Sequence, residues 1–269
     1  MRLTPFAITF VLSLAPVIAQ ADSVGAATAE NAIKTAVASP QRSPKNIARD
    51  IYRHPVETLT FFGVKPDQTV AEIWPGGGWY AEILAPLLRD HGKYIAAVPP
   101  GKGHDAIVAL FAKDSPRFGK AILTTLQVGK VSDIAPPGSA DVVLTFRNVH
   151  NFLKAGDAAS AQFFADAYRA LKPGGVLGVE DHRLPEDAAG GLEISSGYIK
   201  RSTIIRLATA AGFKFDGESP VNANPKDDHN HPKGVWTLPP TYALGSVDHA
   251  QYEAIGESDR LTLRFVKPR

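Results

Sequence analysis

Residues 69–86 read TVAEIWPGGGWYAEILAP, and this stretch decides the fold. Thr69 to Trp74 is a buried-type strand, and Gly76-Gly77-Gly78 is a turn. Tyr80, Ile83, Leu84, Leu87 and Leu88 then recur at helical spacing. They predict a helix over Trp79 to Asp90, bent by Pro86 and stopped by Gly92.

The same alternation continues outward. Tyr94 to Val98 is a second strand, a helix is expected from about His104 to Lys113, and a weak third strand lies near Ala121 to Val128. Pro136-Pro137-Gly138 announces a fourth strand, Asp141 to Phe146. Ala161, Phe164, Ala165, Tyr168 and Leu171 mark the next helix. Lys172-Pro173-Gly174-Gly175 turns into a fifth strand, Val176 to Glu180. A helix over about Ser202 to Ala211, a strand near Phe213 to Phe215 and a last alternating strand, Leu261 to Val266, complete the pattern. Strands alternating with amphipathic helices predict one α/β domain: a doubly wound, mostly parallel, seven-stranded sheet.

Composition narrows the functions. The 269 residues are 44% hydrophobic and 21% charged, an ordinary globular balance. A net charge of +2 does not suggest a nucleic-acid surface, and the expected substrate is a small molecule or an envelope component. With no cysteine, disulfides and thiol nucleophiles are excluded. Residues 1–21 read as a secretory signal: Arg2, an apolar run from Phe6 to Ala19, and Ala19-Gln20-Ala21 as the small-x-small site. Cleavage after Ala21 leaves a periplasmic or secreted chain without a membrane span; an uncleaved anchor is the alternative, opposed by Pro16 and by a run shorter than the roughly 20 residues a span needs. Residues 22–42, rich in Ala, Ser and Thr, read as a mobile arm, and the folded domain as residues 43–269. Ser43-Pro44 is an N-cap signal, and His54-Pro55 a helix stop.

In such sheets ligands sit at the carboxyl ends of the strands, near the switch in strand order. The run VAEIWPGGGWYAEILAP resembles the first motif of class I methyltransferases, which use S-adenosyl-L-methionine (SAM). DVVLTFRNVHNF resembles that family's fourth strand, LKPGGVLGVEDHR its fifth, and GESDRLTLRFVKP its closing antiparallel hairpin. With RDIYRHPVETLTFFGV added, the chain from Ser43 onward is similar to an exported group of predicted methyltransferases. The resemblance implies SAM as cofactor, contacted by Glu72, Gly76, Gly77 and Gly78, with Phe146-Arg147-Asn148 closing over the methionine end. Three departures stand out. Trp74 replaces a glycine, and an indole there narrows the pocket. Ala96-Ala97-Val98-Pro99-Pro100 offers no ribose-binding carboxylate, and Gly129-Lys130-Val131 lacks the usual aspartate near the adenine.

The remaining candidates follow from position. His150 comes after the fourth strand and Asp181-His182 after the fifth, where a general base would face an acceptor. Arg49, Asp50 and Arg53 are either a lid over the site or a solvated face. Asp227-Asp228-His229-Asn230-His231 reads as a metal-ligand pattern without a third fixed ligand, or as a polar loop; no metal is expected. Trp236, Pro239-Pro240 and Tyr242 suggest a loop packed over the cleft, and Glu257 to Arg260 a turn with Arg260 pairing locally. Two other functions fit the sequence. One is a binding protein that kept the fold without catalysis. The other is a nicotinamide-dependent oxidoreductase, since Gly76, Gly78 and Ala81 also match G-x-G-x-x-A.

Overall fold

A computed structural model describes residues 16–269. Nine strands follow in chain order. They are β1 (Thr69–Ile73), β2 (Lys93–Val98), β3 (Ile122–Thr125), β4 (Ala140–Phe146) and β5 (Leu171–Leu184), then β6 (Ile199–Lys200), β7 (Lys214–Glu218), β8 (Pro232–Val235) and β9 (Arg260–Val266). The sheet runs β3-β2-β1-β4-β5-β9-β7. Strands β3 to β5 along this order are parallel, and β9 is antiparallel to both β5 and β7. This is the doubly wound sheet with a final antiparallel strand that the sequence predicts. The expected seven strands become eight among the described residues, because the two-residue β6 pairs with the end of β5.

The two faces are covered separately. Ala71 and Ile73 of β1, with Val143, Leu177 and Leu263, pack under the helices Val149–Lys154, Asp157–Ala170 and Arg201–Ala210. Val70, Ala96, Val142 and Leu144 face the helices Pro55–Phe61, Ala81–Leu88 and Lys102–Lys113. The period-two alternation along β1 thus feeds both layers.

Four expectations need correction. Residues 22–42 are not an arm, because the helix Pro16–Val37 covers most of them. Ala29, Ile33 and Ala36 form a buried seam against Pro55–Phe61 and Ala81–Leu88, and Ile33 is fully buried. Alanines at i and i+7 on either side of Ile33 let the helix approach closely, which a reading by composition overlooks. Ser43 caps nothing; its backbone N–H and hydroxyl both donate to Glu82. The helix Asp157–Ala170 buries Phe163, Phe164, Ala167 and Ala170, leaving Ala161 and Ala165 exposed. Its phase follows the two large phenylalanines. Arg260 is buried inside β9, where a turn residue was expected. The signal-peptide reading up to residue 15 lies outside the described residues.

Candidate functional site

The switch in strand order falls between β1 and β4, whose neighbours run in opposite directions through the sequence. Each strand is followed directly by a non-glycine residue with left-handed backbone, Trp74 at φ 51° after β1 and Arg147 at φ 60° after β4. Such conformations cost roughly 1–3 kcal/mol each and persist only where the surroundings enforce them. Here Asn148 does so. Its amide donates to the Ile73 carbonyl at 2.9 Å and the Trp74 carbonyl at 3.4 Å, and to Thr145 Oγ1 at 3.3 Å. Asn148 is therefore a brace between the two strand ends. The turned backbone also carries the Trp74 indole towards Phe152, with ring centroids 6.0 Å apart, so the indole packs on a wall.

Above this junction lies a cleft of about 540 Å³, a size usual for small-molecule sites. Glu72, Trp74, Gly76, Gly77, Phe146, Arg147 and Asn148 line it, together with Lys45, Arg49, Arg53 and Tyr80. A Cβ at Gly76 or Gly77 would meet nothing within 4 Å. Gly78 is different: at φ 80° it packs against Leu110 and Ile107, on the helix side of the turn. Of the resemblance-based contacts, Gly78 alone does not line the cleft.

Glu72 is buried and accepts a 2.5 Å hydrogen bond from Tyr94. Burial raises its carboxyl to about 7, against the opposing pull of Tyr94, Arg147 and Arg53. The Tyr80 ring stacks on Phe146 with 3.6 Å between centroids. Among the described residues the Tyr80 hydroxyl, Arg53 Nη1 and Glu180 Oε2 are buried without hydrogen-bond partners.

A second cavity of about 280 Å³ adjoins the first; Arg49, Arg53, Arg147, Asn151 and Pro240 line both. His150, His182 and Trp236 face it. The carboxyl ends of β4 and β5 bring His150, Asp181 and His182 together. Asp181 accepts from His150 Nδ1 at 2.7 Å, from the His150 backbone at 3.1 Å and from the His182 backbone at 2.8 Å. A carboxylate on Nδ1 leaves His150 Nε2 as the free base. Burial first, and then His150 and three arginines, hold His182 well below its usual range, so it is neutral. Its Nδ1 lies 2.5 Å from Ser258 Oγ. The donor atoms of these three residues lie within 4.8 Å of one another. Both Asp181 oxygens, however, are already engaged in orienting His150.

In the Asp227–His231 loop, donor atoms of Asp227, Asp228 and His231 also lie within 4.8 Å of one another, while His229 is not among them. Asp227 accepts from Tyr198, His231 and the backbone of His229 and Asp259, so it is a buried hub for this loop. Pro240 lines both cavities, Trp236 and Pro239 line the second alone, and Tyr242 lines neither. Arg49 and Arg53 are cleft walls, each paired with Glu257, while Asp50 pairs with Arg42. Sequence reasoning missed Tyr80, Asn151, Glu180 and Glu257. The visible signal for Glu180 was charge inside a buried strand, Glu180-Asp181-His182-Arg183.

Residues 72–179 match the family model described as a methyltransferase domain. No curated protein matches the chain. Among solved structures, a SAM-dependent methyltransferase from Aquifex aeolicus is 15% identical, with a TM-score of 0.57 over 88% of this chain and 98% of that one. The [4+2]-cyclase SpnF is also 15% identical, with a TM-score of 0.57 over 91% and 95% of the two chains. An O-methyltransferase from neocarzinostatin biosynthesis, in complex with S-adenosyl-L-homocysteine and 1,4-dihydroxy-2-naphthoic acid, is 13% identical. Its TM-score is 0.51, over 82% of this chain and 55% of that one. The chain thus has the Rossmann-like fold of the class I SAM-dependent methyltransferases, with a methyltransferase domain matched across residues 72–179.

Proposed function

We propose that this protein is a SAM-dependent methyltransferase acting on a small molecule. The observation that carries the reading is the junction of the two cavities, which share walls at Arg147 and Asn151. A glycine-lined cleft thereby opens directly onto a histidine oriented by a buried aspartate.

The residues fit the methionine end of the cofactor. Gly76 and Gly77 leave open space for close backbone approach, Glu72 offers a carboxylate to its cationic groups, and Tyr80 an unpaired hydroxyl. The end of β2, Ala96-Ala97-Val98-Pro99-Pro100, carries no carboxylate for the ribose hydroxyls. Bound SAM supplies an electrophilic methyl group on a sulfonium, and its departure leaves a neutral thioether. The chain's part is alignment and proton removal. Phe146 and Tyr80 form a rigid wall, Asn148 fixes the two strand ends, and His150 Nε2 takes the proton that an acceptor hydroxyl or amine must lose.

The bare end of β2 favours a second reading, a binding protein that kept the fold without turnover. Methyl transfer from labelled SAM to a pool of small acids and alcohols separates the two. Under the first reading the wild type transfers label and Asp181→Asn transfers it about 10²–10⁴-fold more slowly, because His150 loses its orienting partner. Absence of label from every acceptor would favour the second. We further propose export through the signal at residues 1–21, in keeping with the resemblance to an exported group; an envelope component would then be within reach as acceptor.

A further inference from the structure

The wall shared by the two cavities holds more positive charge than the fold neutralises. Three guanidinium groups line it, Arg49, Arg53 and Arg147, and a fourth, Arg260, is buried beside them. They share two carboxylates. Glu257 lies 2.6 Å from Arg49, 3.3 Å from Arg53 and 3.4 Å from Arg260. Glu180 lies 2.9 Å from Arg260 and 3.5 Å from Arg147. The third acid nearby, Glu72, is kept largely protonated below neutrality by its own burial.

Arg53 is the most exacting of the four. Its side chain is 3% exposed, it lies under the Trp79 ring at 4.7 Å from the centroid, and its Nη1 has no hydrogen-bond partner. It nevertheless lines both cavities, beside Arg49 and Arg147. A buried guanidinium N–H without a partner is costly, and on a side chain that lines both cavities it is a point of attachment for an anion. Burial first, and then the Arg147 charge, hold Arg53 well below its ordinary range against the pull of Glu257, and a bound anion offsets the repulsion among the arginines.

We propose that Arg49, Arg53 and Arg147 form an anion subsite and that the methyl acceptor is a small acid whose carboxylate or phosphate they hold. This rests on the methyltransferase reading and gives it a substrate class. The second cavity is small, with Val235, Trp236 and Pro239 as apolar walls and His150 as base. It suits a short hydroxy or amino acid, anchored at the arginines and presenting its nucleophile to His150.

The test is calorimetric titration of the full chain saturated with S-adenosylhomocysteine. The probes are acetate, inorganic phosphate, 4-hydroxybenzoate and, as an uncharged match for the last, 4-hydroxybenzamide. At least one anion binds, at least tenfold more weakly to Arg53→Met and to Arg49→Gln, while the amide gives no heat. Arg49 is partly exposed, so its substitution guards against misfolding of the Arg53 variant. The tighter of phosphate and carboxylate names the acid. Failure of all three anions, or equal binding by the variants, overturns the proposal. So does a tenfold loss of S-adenosylhomocysteine in the variants with anions binding only the cofactor-free chain, since the arginines then serve the cofactor's own carboxylate. If the wild type does not bind S-adenosylhomocysteine at all, the cofactor reading fails on its own. The same anion titrations on the free chain then judge the subsite by the same criteria.

Discussion

Glu72 has its carboxyl out of water, with Tyr94 as its hydrogen-bond donor and Arg53 and Arg147 near enough to moderate the cost. Its folded-state value of about 7 lies above the ordinary 4.5, so the folded chain binds this proton more tightly than the unfolded chain. The stability this contributes is full below pH 4.5 and is lost as pH rises through about 7, a change of up to about 3 kcal/mol. Glu257 works in the opposite sense. Burial alone would raise it, but Arg260, Arg53 and Arg49 outweigh burial and bring it to about 2. Its contribution is present above 4.5 and is lost as pH falls through about 2. Glu72→Gln keeps an acceptor for Tyr94 and removes the buried charge. Urea unfolding at pH 4 and 8.5 will show the variant more stable than wild type at pH 8.5 and nearly equal at pH 4. The ionised acid also attracts the cofactor's positive charge, so SAM affinity rises through pH 7 in the wild type and is flat and weaker in the variant. An unchanged pH profile would place the carboxyl outside the binding groups.

The helix Pro16–Val37 makes the clearest claim at the scale of elements. Ile33 is fully buried between Pro55–Phe61 and Ala81–Leu88, so Ile33→Ala will cost about 2–4 kcal/mol in denaturant unfolding, with the slope unchanged. A mobile arm would show no loss. That helix was hidden in the sequence because two of its three contact residues are alanines, which carry little hydrophobic contrast. Strands β1, β4 and β5 were legible because both their faces are buried, and the run of apolar residues shows it. Once their carboxyl ends are known, His150, Asp181 and His182 must fall together, and they do. The charged wall could not be read in the same way. Arg53 and Glu257 are 204 residues apart in sequence and meet only because β9 returns beside β5. Nor does the glycine run disclose that Gly76 and Gly77 face the cleft while Gly78 packs on Leu110; only the path of the Lys102–Lys113 helix decides that.

At the scale of the whole molecule, a net charge of +2 conceals a concentration of arginine at one cleft. Long-range attraction of anions therefore belongs to the site and not to the surface as a whole. Export through residues 1–21 predicts a mature chain beginning at Asp22, to be read as the mass and amino-terminal sequence of protein recovered outside the cytoplasm. Intact Met1 in that fraction would contradict it. The central claim is that the cleft between the ends of β1 and β4 holds SAM, and isothermal titration of the chain with SAM and S-adenosylhomocysteine tests it most directly. The account predicts micromolar binding of both, weakened at least tenfold by Glu72→Gln at pH 8. A folded sample that gives no heat with either ligand would contradict it.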